Sequence, residues 1–136
     1  MIIVDKSLFD LHKDLLYVCV YIPPASSRFY KDYDISGIAM LESCLFDALS
    51  ENDCLVILSG DLNARTANLS SKCDDILCSS HHDSSPGNEE RVSQDKVLNT
   101  CGKQLLNLCT AFNLRILNGR CEGDRQGCYT YVCEAG

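Results

Sequence analysis

The sequence contains no run of about eighteen apolar residues, the length that a membrane-spanning helix needs. It also lacks a recognisable secretory signal, because Asp5 and Lys6 interrupt the start of the chain where a basic stretch and an apolar core would stand. Both absences favour a soluble chain that does not bind membranes. No internal repeat is visible either.

Basic residues are scarce as well. Twelve lysines and arginines stand against nineteen aspartates and glutamates, so the net charge is -7. That is the wrong sign for a protein that holds nucleic acid mainly through its phosphates. Metal-dependent phosphodiesterases often carry an acidic balance because carboxylates hold the cation, but so do many unrelated proteins. The charge therefore selects no function by itself, and any action on DNA must rest on local chemistry.

Ten cysteines are many for a chain of 136 residues. Several fall on apolar faces of predicted elements: Cys19, Cys44, Cys54, Cys101 and Cys109. Without a secretory signal, we expect free thiols packed as small hydrophobic side chains rather than a disulfide framework.

Four zinc-type ligands lie close together in the middle of the chain: Cys73, Cys78, His81 and His82. Structural zinc sites usually pair cysteines about two to four residues apart and place the next ligands further off, so this spacing fits only loosely. The surrounding residues are mostly polar, and the stretch from about 66 to 94 is predicted to be a long surface loop. A solvated loop is favoured over a zinc-binding module.

Apolar patterning in the first half predicts a strand, a helix and a second strand. Leu15–Tyr21 is rich in β-branched and aromatic residues and is stopped by Pro23-Pro24, which indicates a strand. One helix stripe over about residues 36–50 is formed by Ile38, Leu41, Leu45 and Leu49. Residues 54–58 form a short apolar run, which is typical of a strand buried on both faces and central in its sheet.

The second half predicts another helix and two short strands. The helix stripe consists of Leu98, Cys101, Leu105, Leu108 and Phe112. Asp95 is its predicted cap and Asn113 its predicted end. Residues 115–118 and 128–132 are predicted strands around a glycine-rich turn. This order implies α/β layers in a single domain over residues 1–136, with at least one helix over a sheet.

The most informative segment follows the second strand and reads Ser-Gly-Asp-Leu-Asn-Ala-Arg over residues 59–65. Ligands gather where strands of an α/β sheet end. Gly60 permits a sharp turn or a close approach of substrate to the backbone. Asp61 can accept a proton from water or bind a cation, and Asn63 can donate to a phosphate without adding negative charge. Taken alone, however, Gly-Asp-x-Asn is more often an ordinary turn.

A second motif makes the segment more specific. Tyr21-Ile22-Pro23-Pro24 ends the first predicted strand, and Gly60-Asp61-Leu62-Asn63-Ala64 follows the next one after an intervening helix. In this the chain resembles the endonuclease/exonuclease/phosphatase superfamily. Further matches resemble the endonuclease domains of non-LTR retrotransposons: Arg91-Val92-Ser93-Gln94-Asp95, Asn118-Gly119-Arg120, Gly123-Asp124 and Gly127-Cys128-Tyr129-Thr130-Tyr131. Together the matches span most of residues 15–132.

The resemblance implies an α/β fold that is part of a DNase I-like, two-sheet β-sandwich with flanking helices. It implies that Asp61 activates or orients the attacking water, that Asn63 positions the scissile phosphate, and that the phenol of Tyr21 lies nearby. Gly60 and Arg65 are expected next to the substrate. The cofactor implied is Mg2+, the partner DNA, and the location intracellular, nuclear if the parent function holds.

Two further expectations concern the neighbouring motif and the parts of the family pattern that the sequence does not contain. Arg91, Ser93 and Asp95 are expected to fix the long loop and cap the following helix. The family's magnesium-binding Glu and its Ser-Asp-His motif have no counterpart here. We therefore expect a fragment that binds Mg2+ poorly, binds DNA weakly or not at all, is close to inactive alone, and self-associates through exposed sheet edges.

Three other functions stay open at this point. The first is a noncatalytic domain that retains the fold and binds a protein or nucleic acid through its long loop. The second is a phosphatase of the same superfamily, since one fold hosts several activities. The third is the zinc-binding module.

Overall fold

The structure is a computed structural model that describes residues 1–70 and 91–130. The chain divides into two compact units, Met1–Asn63 and Ala64–Gly136. The zinc-type ligands Cys73, Cys78, His81 and His82 lie outside the described residues, as does most of the predicted loop.

The first unit is built on a three-stranded mixed sheet. Its strands are β1 (Ile2–Val4), β2 (Leu15–Tyr21) and β3 (Leu55–Asp61), in the order β1-β2-β3. β1 runs antiparallel to β2, and β2 runs parallel to β3. Two helices separate β2 from β3, namely α1 (Phe29–Asp32) and α2 (Gly37–Glu51). The predicted α/β class is confirmed at this coarse level.

One face of β2 and one stripe of α2 form the core of the first unit. Its buried apolar side chains are Leu16, Val18 and Ile22 from this face of β2 and its end, and Ile38, Leu41 and Leu45 from α2. Leu15 is also buried but lies on the opposite face of β2. The hydroxyl of Ser36 accepts a hydrogen bond from Ala39 N at 3.1 Å, which satisfies a donor that the first turn leaves unpaired. The predicted strand is confirmed, and the predicted helix is confirmed to within one residue at each end.

The prediction that the second strand is central and buried on both faces is wrong. Among the described residues β3 lies at the edge of the sheet, and Ile57 is 47% exposed. The apolar residues 54–58 do not all face the core. Ile57 lies beside Tyr17 on the face of the sheet that α2 does not cover, and it is apolar although it is exposed. A run of five apolar residues cannot distinguish these two situations.

β2 also has an open edge over half its length. Ile2, the first residue of β1, lies opposite Tyr17, so within the described residues no strand lies beside β2 from Val18 to Tyr21 on that side. An apolar groove of about 250 Å³ adjoins this edge, and Val20, Met40 and Cys44 are among its lining residues.

The second unit contains α3 (Thr100–Ala111), whose buried residues include Leu105, Leu108 and Cys109. Its N-cap is Asn99, which accepts from Gly102 N at 2.7 Å, so the prediction of Asp95 as the cap is wrong. The carboxylate of Asp95 is instead bound by Arg65 and by Val97 N. The predicted end is confirmed, since Asn113 adopts the left-handed conformation with φ 52°.

The predicted strand over residues 115–118 is absent from the second unit as described. Asn118 and Gly119 form a turn in which Arg120 N donates to Leu117 O at 3.0 Å. Residues 128–130 are in no strand, and the rest of that predicted strand lies outside the described residues. Turn chemistry at Asn118-Gly119 prevails over the β-propensity of the preceding residues.

α2 and α3 are the longest helices described, with 15 and 12 residues. Over residues 1–70 and 91–130, no helix combines the length and apolar character needed to cross a membrane.

The seven cysteines that the structure describes are free thiols. Cys109 is buried and Cys54 and Cys101 are half-buried, as expected for small hydrophobic side chains. For Cys19 and Cys44 the expected packing is wrong, because both are exposed. Cys19 lies on the face of β2 opposite the one that α2 covers in the first unit.

Candidate functional site

The first unit brings Tyr21 and Asp61 together at one end of its sheet. β2 and β3 are parallel, and Tyr21 is the direct partner of Asp61 in their register. Partners in a parallel ladder share a phase of the pleat, so both side chains extend from the face that carries Tyr17. Both are exposed, Tyr21 at 65%. The Tyr21 hydroxyl has no hydrogen-bond partner within the part of the chain described.

Asn63 is joined to Asp61 by a compact turn. The backbone N–H of Asn63 donates to Asp61 Oδ1 at 2.9 Å, and Asn63 itself has φ 46°, a conformation that asparagine tolerates better than most residues. Its Nδ2 donates to Ile22 O at 2.8 Å and makes a longer contact of 3.4 Å to Asp61 Oδ2. The main chain at the end of β2 therefore helps to fix the orientation of the carboxamide.

Ile22 connects the two strand ends through both of its backbone groups. Its N–H donates to Asp61 O at 2.8 Å, and its carbonyl accepts from Asn63. Sequence reasoning missed this contribution because a main-chain acceptor leaves no signal in residue type. Tyr30, whose hydroxyl donates to Pro23 O at 2.9 Å, was missed too, although a half-buried tyrosine usually has a hydroxyl partner.

Gly60 allows the two strands to approach each other closely before the turn. Its φ is +120°, and a Cβ at this position would lie 1.9 Å from Val20 O. Only glycine fits there. The contact is with the neighbouring strand; that Gly60 also lies next to a substrate stays a prediction.

Arg65 belongs to the second unit and is engaged by a carboxylate there. Its Nε and Nη2 donate to the two carboxylate oxygens of Asp95, each at 2.7 Å. This paired hydrogen bond holds the pKa of Asp95 below its usual value and raises that of Arg65. The placement of Arg65 next to the substrate stays a prediction. An anion that bound to Nε and Nη2 of Arg65 would compete with the carboxylate of Asp95 for these two donors.

The expectation that Arg91 and Ser93 fix the chain around the long loop agrees with their contacts in the second unit. Arg91 is only 5% exposed and donates to Ala67 O at 2.7 Å, to Leu69 O at 2.9 Å and to Asn118 O at 3.0 Å. Ser93 is 4% exposed, and its N–H donates to Asn68 Oδ1 at 3.0 Å. These contacts organise main chain rather than an exposed site.

A divalent cation would need several oxygen ligands. Among the described residues no three His, Cys, Asp or Glu side chains come together. Asp61 is the carboxylate at the strand ends, and both of its oxygens already contact Asn63. The described strand ends therefore supply one carboxylate, and binding of Mg2+ there stays a prediction.

The strand ends can nevertheless perform part of a phosphate chemistry. An exposed phenol and a carboxamide can donate to phosphate oxygens, and a carboxylate can accept a proton from water. All three groups belong to the first unit.

No known protein family, curated protein or solved structure matches the chain.

Proposed function

We propose that the chain carries part of the active site of a divalent-metal-dependent endonuclease of the endonuclease/exonuclease/phosphatase superfamily, one that hydrolyses DNA phosphodiester bonds. The observation that carries the proposal is the register of the parallel strands, which pairs Tyr21 with Asp61. The turn from Asp61 to Asn63 then adds the carboxamide. Two sequence motifs separated by about forty residues thus meet at adjacent strand ends.

Each of the three side chains has a proposed role. Asn63 donates from Nδ2 to a phosphate oxygen, which displaces the 3.4 Å contact to Asp61 and leaves the 2.8 Å bond to Ile22 intact. Asp61, released from that contact, orients the attacking water and accepts its proton. The Tyr21 hydroxyl donates to a second phosphate oxygen.

This arrangement is incomplete as a catalyst. The described strand ends supply one carboxylate and no set of metal ligands, so we derive no step that passes through Mg2+. Catalytic groups that act as a unit lose most of the rate when one is missing. The proposed activity of this chain alone is therefore close to zero.

We also propose that the sheet is part of a DNase I-like β-sandwich. Supporting this, apolar side chains point from both of its faces, yet only one face has a covering helix in the first unit. On the other face Tyr17 is 38% and Ile57 is 47% exposed, and Ser59 Oγ donates to Tyr17 Oη at 2.8 Å. A sandwich would bury such a face against a second sheet.

Self-association belongs to the same proposal. The N–H of Ile22 points towards β3, so by alternation the backbone groups of Cys19 and Tyr21 point to the open side of β2. An unpaired edge beside apolar surface is a template for another strand. A second copy of the chain, which presents the same edge, is the proposed occupant.

The test of the phosphate site is titration of 15N-labelled chain with the dinucleotide thymidylyl-thymidine, which contains a single phosphodiester. We expect the largest shifts at Tyr21, Asp61 and Asn63. Asn63→Ala should weaken binding because it removes the donor. Asp61→Asn should tighten it about fivefold or more, because it removes a negative charge beside the anion. Shifts confined to the second unit, or equal affinities for both variants, would overturn the proposal.

A further inference from the structure

The end of β2 is fixed from two directions. On one side, the backbone groups of Ile22 bind Asp61 O and Asn63 Nδ2, both at 2.8 Å. On the other side, the next carbonyl, that of Pro23, accepts from the Tyr30 hydroxyl at 2.9 Å. The orientation of the Asn63 carboxamide therefore depends on Ile22, and the residue after Ile22, Pro23, is held by Tyr30.

Tyr30 is itself held in place by packing. Its ring meets that of Phe29 edge to face, with centroids 5.3 Å apart. Gly37, the first residue of α2, lies against both Ile22 and Tyr30: a Cβ there would be 2.9 Å from Ile22 Cγ2 and 3.0 Å from Tyr30 Oη. The missing side chain of Gly37 thus gives the hydroxyl the space to reach Pro23.

We propose that Tyr30 is a positioning residue for the phosphate site. The Tyr30 hydroxyl donates to Pro23 O and thereby fixes the peptide segment from Ile22 to Pro23. The carbonyl of Ile22 in this segment accepts from Asn63 Nδ2 and so orients the carboxamide. The role of Tyr30 towards phosphate rests on the function proposed above, whereas its effect on Asn63 rests on the contacts alone. The Tyr30 hydroxyl acts through the Ile22-Pro23 segment.

A purely structural role for Tyr30 makes a different prediction, and the chain supplies a matched control. Tyr33 belongs to the same aromatic group and stacks on Phe29 with centroids 4.7 Å apart. Its side chain is half exposed, and its hydroxyl has no hydrogen-bond partner within the described residues. Tyr30→Phe and Tyr33→Phe remove the same atom, but only the first removes a bond to Pro23.

The experiment follows the side-chain 15Nδ2 resonance of Asn63 in the full chain, assigned by its loss in Asn63→Ala. Tyr30→Phe should shift or broaden this resonance, and Tyr33→Phe should leave it unchanged. In a titration with thymidylyl-thymidine, Tyr30→Phe should weaken binding about two- to fivefold, as expected for a relaxed hydrogen bond, with no change for Tyr33→Phe.

Identical Asn63 resonances in Tyr30→Phe, Tyr33→Phe and the unsubstituted chain would overturn the proposal. If Tyr30→Phe does not fold, Phe29→Leu replaces it: loss of the ring that packs edge to face on Tyr30 should loosen the bond to Pro23 O and shift the Asn63 resonance, and an unshifted resonance would overturn the proposal. If the unsubstituted chain does not bind the dinucleotide, the proposed function fails, but the Asn63 resonance still decides the role of Tyr30.

Discussion

At the scale of single residues, the chemistry of the strand ends depends on small differences between contacts. Asn63 Nδ2 is 2.8 Å from Ile22 O but 3.4 Å from Asp61 Oδ2. The shorter contact is a normal hydrogen bond, whereas the longer one is weak. A phosphate oxygen can replace the weak contact while the main-chain bond keeps the carboxamide oriented.

Gly60 is the position where substitution should be least tolerated. In Gly60→Ala the new Cβ would lie 1.9 Å from Val20 O, and the backbone would keep an unfavourable φ of +120°. We expect a loss of about 3 kcal/mol or more in the free energy of unfolding, because backbone must move. Urea unfolding followed by circular dichroism measures it.

Gly123 is the matched control, since it also has a positive φ, +94°, but a Cβ there meets nothing within 4 Å. Gly123→Ala should cost only about 1 kcal/mol. Equal losses for the two variants would mean that backbone strain alone, and not the approach of β3 to β2, explains the glycine.

Residue-scale features differ in how far the sequence could predict them. The left-handed Asn113 was predictable because a helix stripe ends there and asparagine tolerates that conformation. The pairing of Arg65 with Asp95 could not be predicted, because the two residues are thirty positions apart. Nothing in the segment around either residue indicates that the other is its partner. The candidate site residues were predicted from sequence motifs. Ile22 holds the strand ends together through its backbone N–H and carbonyl, and the residue type gives no indication of that role.

The Asp95 carboxylate should contribute a pH-dependent term to stability. Its pKa in the folded chain is lowered, chiefly by the side-chain hydrogen bond from Arg65. The ionised form therefore stabilises the folded state above the unfolded-state pKa of about 3.9, and this stabilisation is lost as pH falls through the lower folded-state pKa. The difference in unfolding free energy between the unsubstituted chain and Asp95→Asn should be largest near neutral pH and shrink below about pH 4.

Asp53 provides the comparison for this measurement. It pairs with Lys13 at 2.6 Å, but its side chain is 82% exposed and that of Lys13 is 40% exposed. Asp53→Asn should change stability little, because exposed ion pairs contribute little. A constant difference for Asp95→Asn between pH 7 and pH 3 would contradict the account.

At the scale of elements, periodic patterns were the reliable predictors. β2 and α2 follow from their apolar spacing, and α2 begins after Ser36 as a cap should place it. The start of α3 was predicted at the wrong cap because both Asp95 and Asn99 are good capping residues. Choosing between them required knowing that Arg65 binds Asp95, which is a tertiary contact.

Asn99 should be the most important capping residue of α3. Its Oδ1 accepts from Gly102 N at 2.7 Å and from Arg65 N at 3.0 Å, so it joins the helix to the preceding segment. Asn99→Ala should cost about 1–2 kcal/mol in the free energy of unfolding. Chemical denaturation with matched buffers measures this loss.

Asn107 is the control on the same helix, because it is exposed and its side chain forms no hydrogen bond within the described residues. Asn107→Ala should be neutral or slightly stabilising, since alanine is the better helix former. If Asn107→Ala were as destabilising as Asn99→Ala, the loss would not come from the cap.

At the scale of the whole molecule, we expect the strand edges and the sheet face that the described residues of the first unit leave open to govern behaviour in solution. Sedimentation at micromolar concentration in reducing buffer should show self-association. Cys19→Lys places a charge on the uncovered face beside the open edge of β2, and it should shift the distribution towards monomer. A clean monomer with a single cooperative unfolding transition, before any substitution, would argue against the proposed partial sandwich.

We expect the chain alone to be close to inactive. The magnesium-binding Glu and the Ser-Asp-His motif of the family that the chain resembles have no counterpart in the sequence, and groups that act as a unit lose most of the rate when one is missing. Plasmid nicking in the presence of Mg2+ should therefore not exceed that of Asp61→Asn. Robust cleavage by the unsubstituted chain that EDTA abolishes would show that the site is complete.

The phosphate site is tested most directly by the crystal structure of the chain with thymidylyl-thymidine. We expect a phosphate oxygen about 2.9 Å from Asn63 Nδ2, with the bond to Ile22 O retained and the Tyr21 hydroxyl on the same phosphate. A dinucleotide bound elsewhere, with Asn63 Nδ2 still in contact with Asp61, would contradict this expectation.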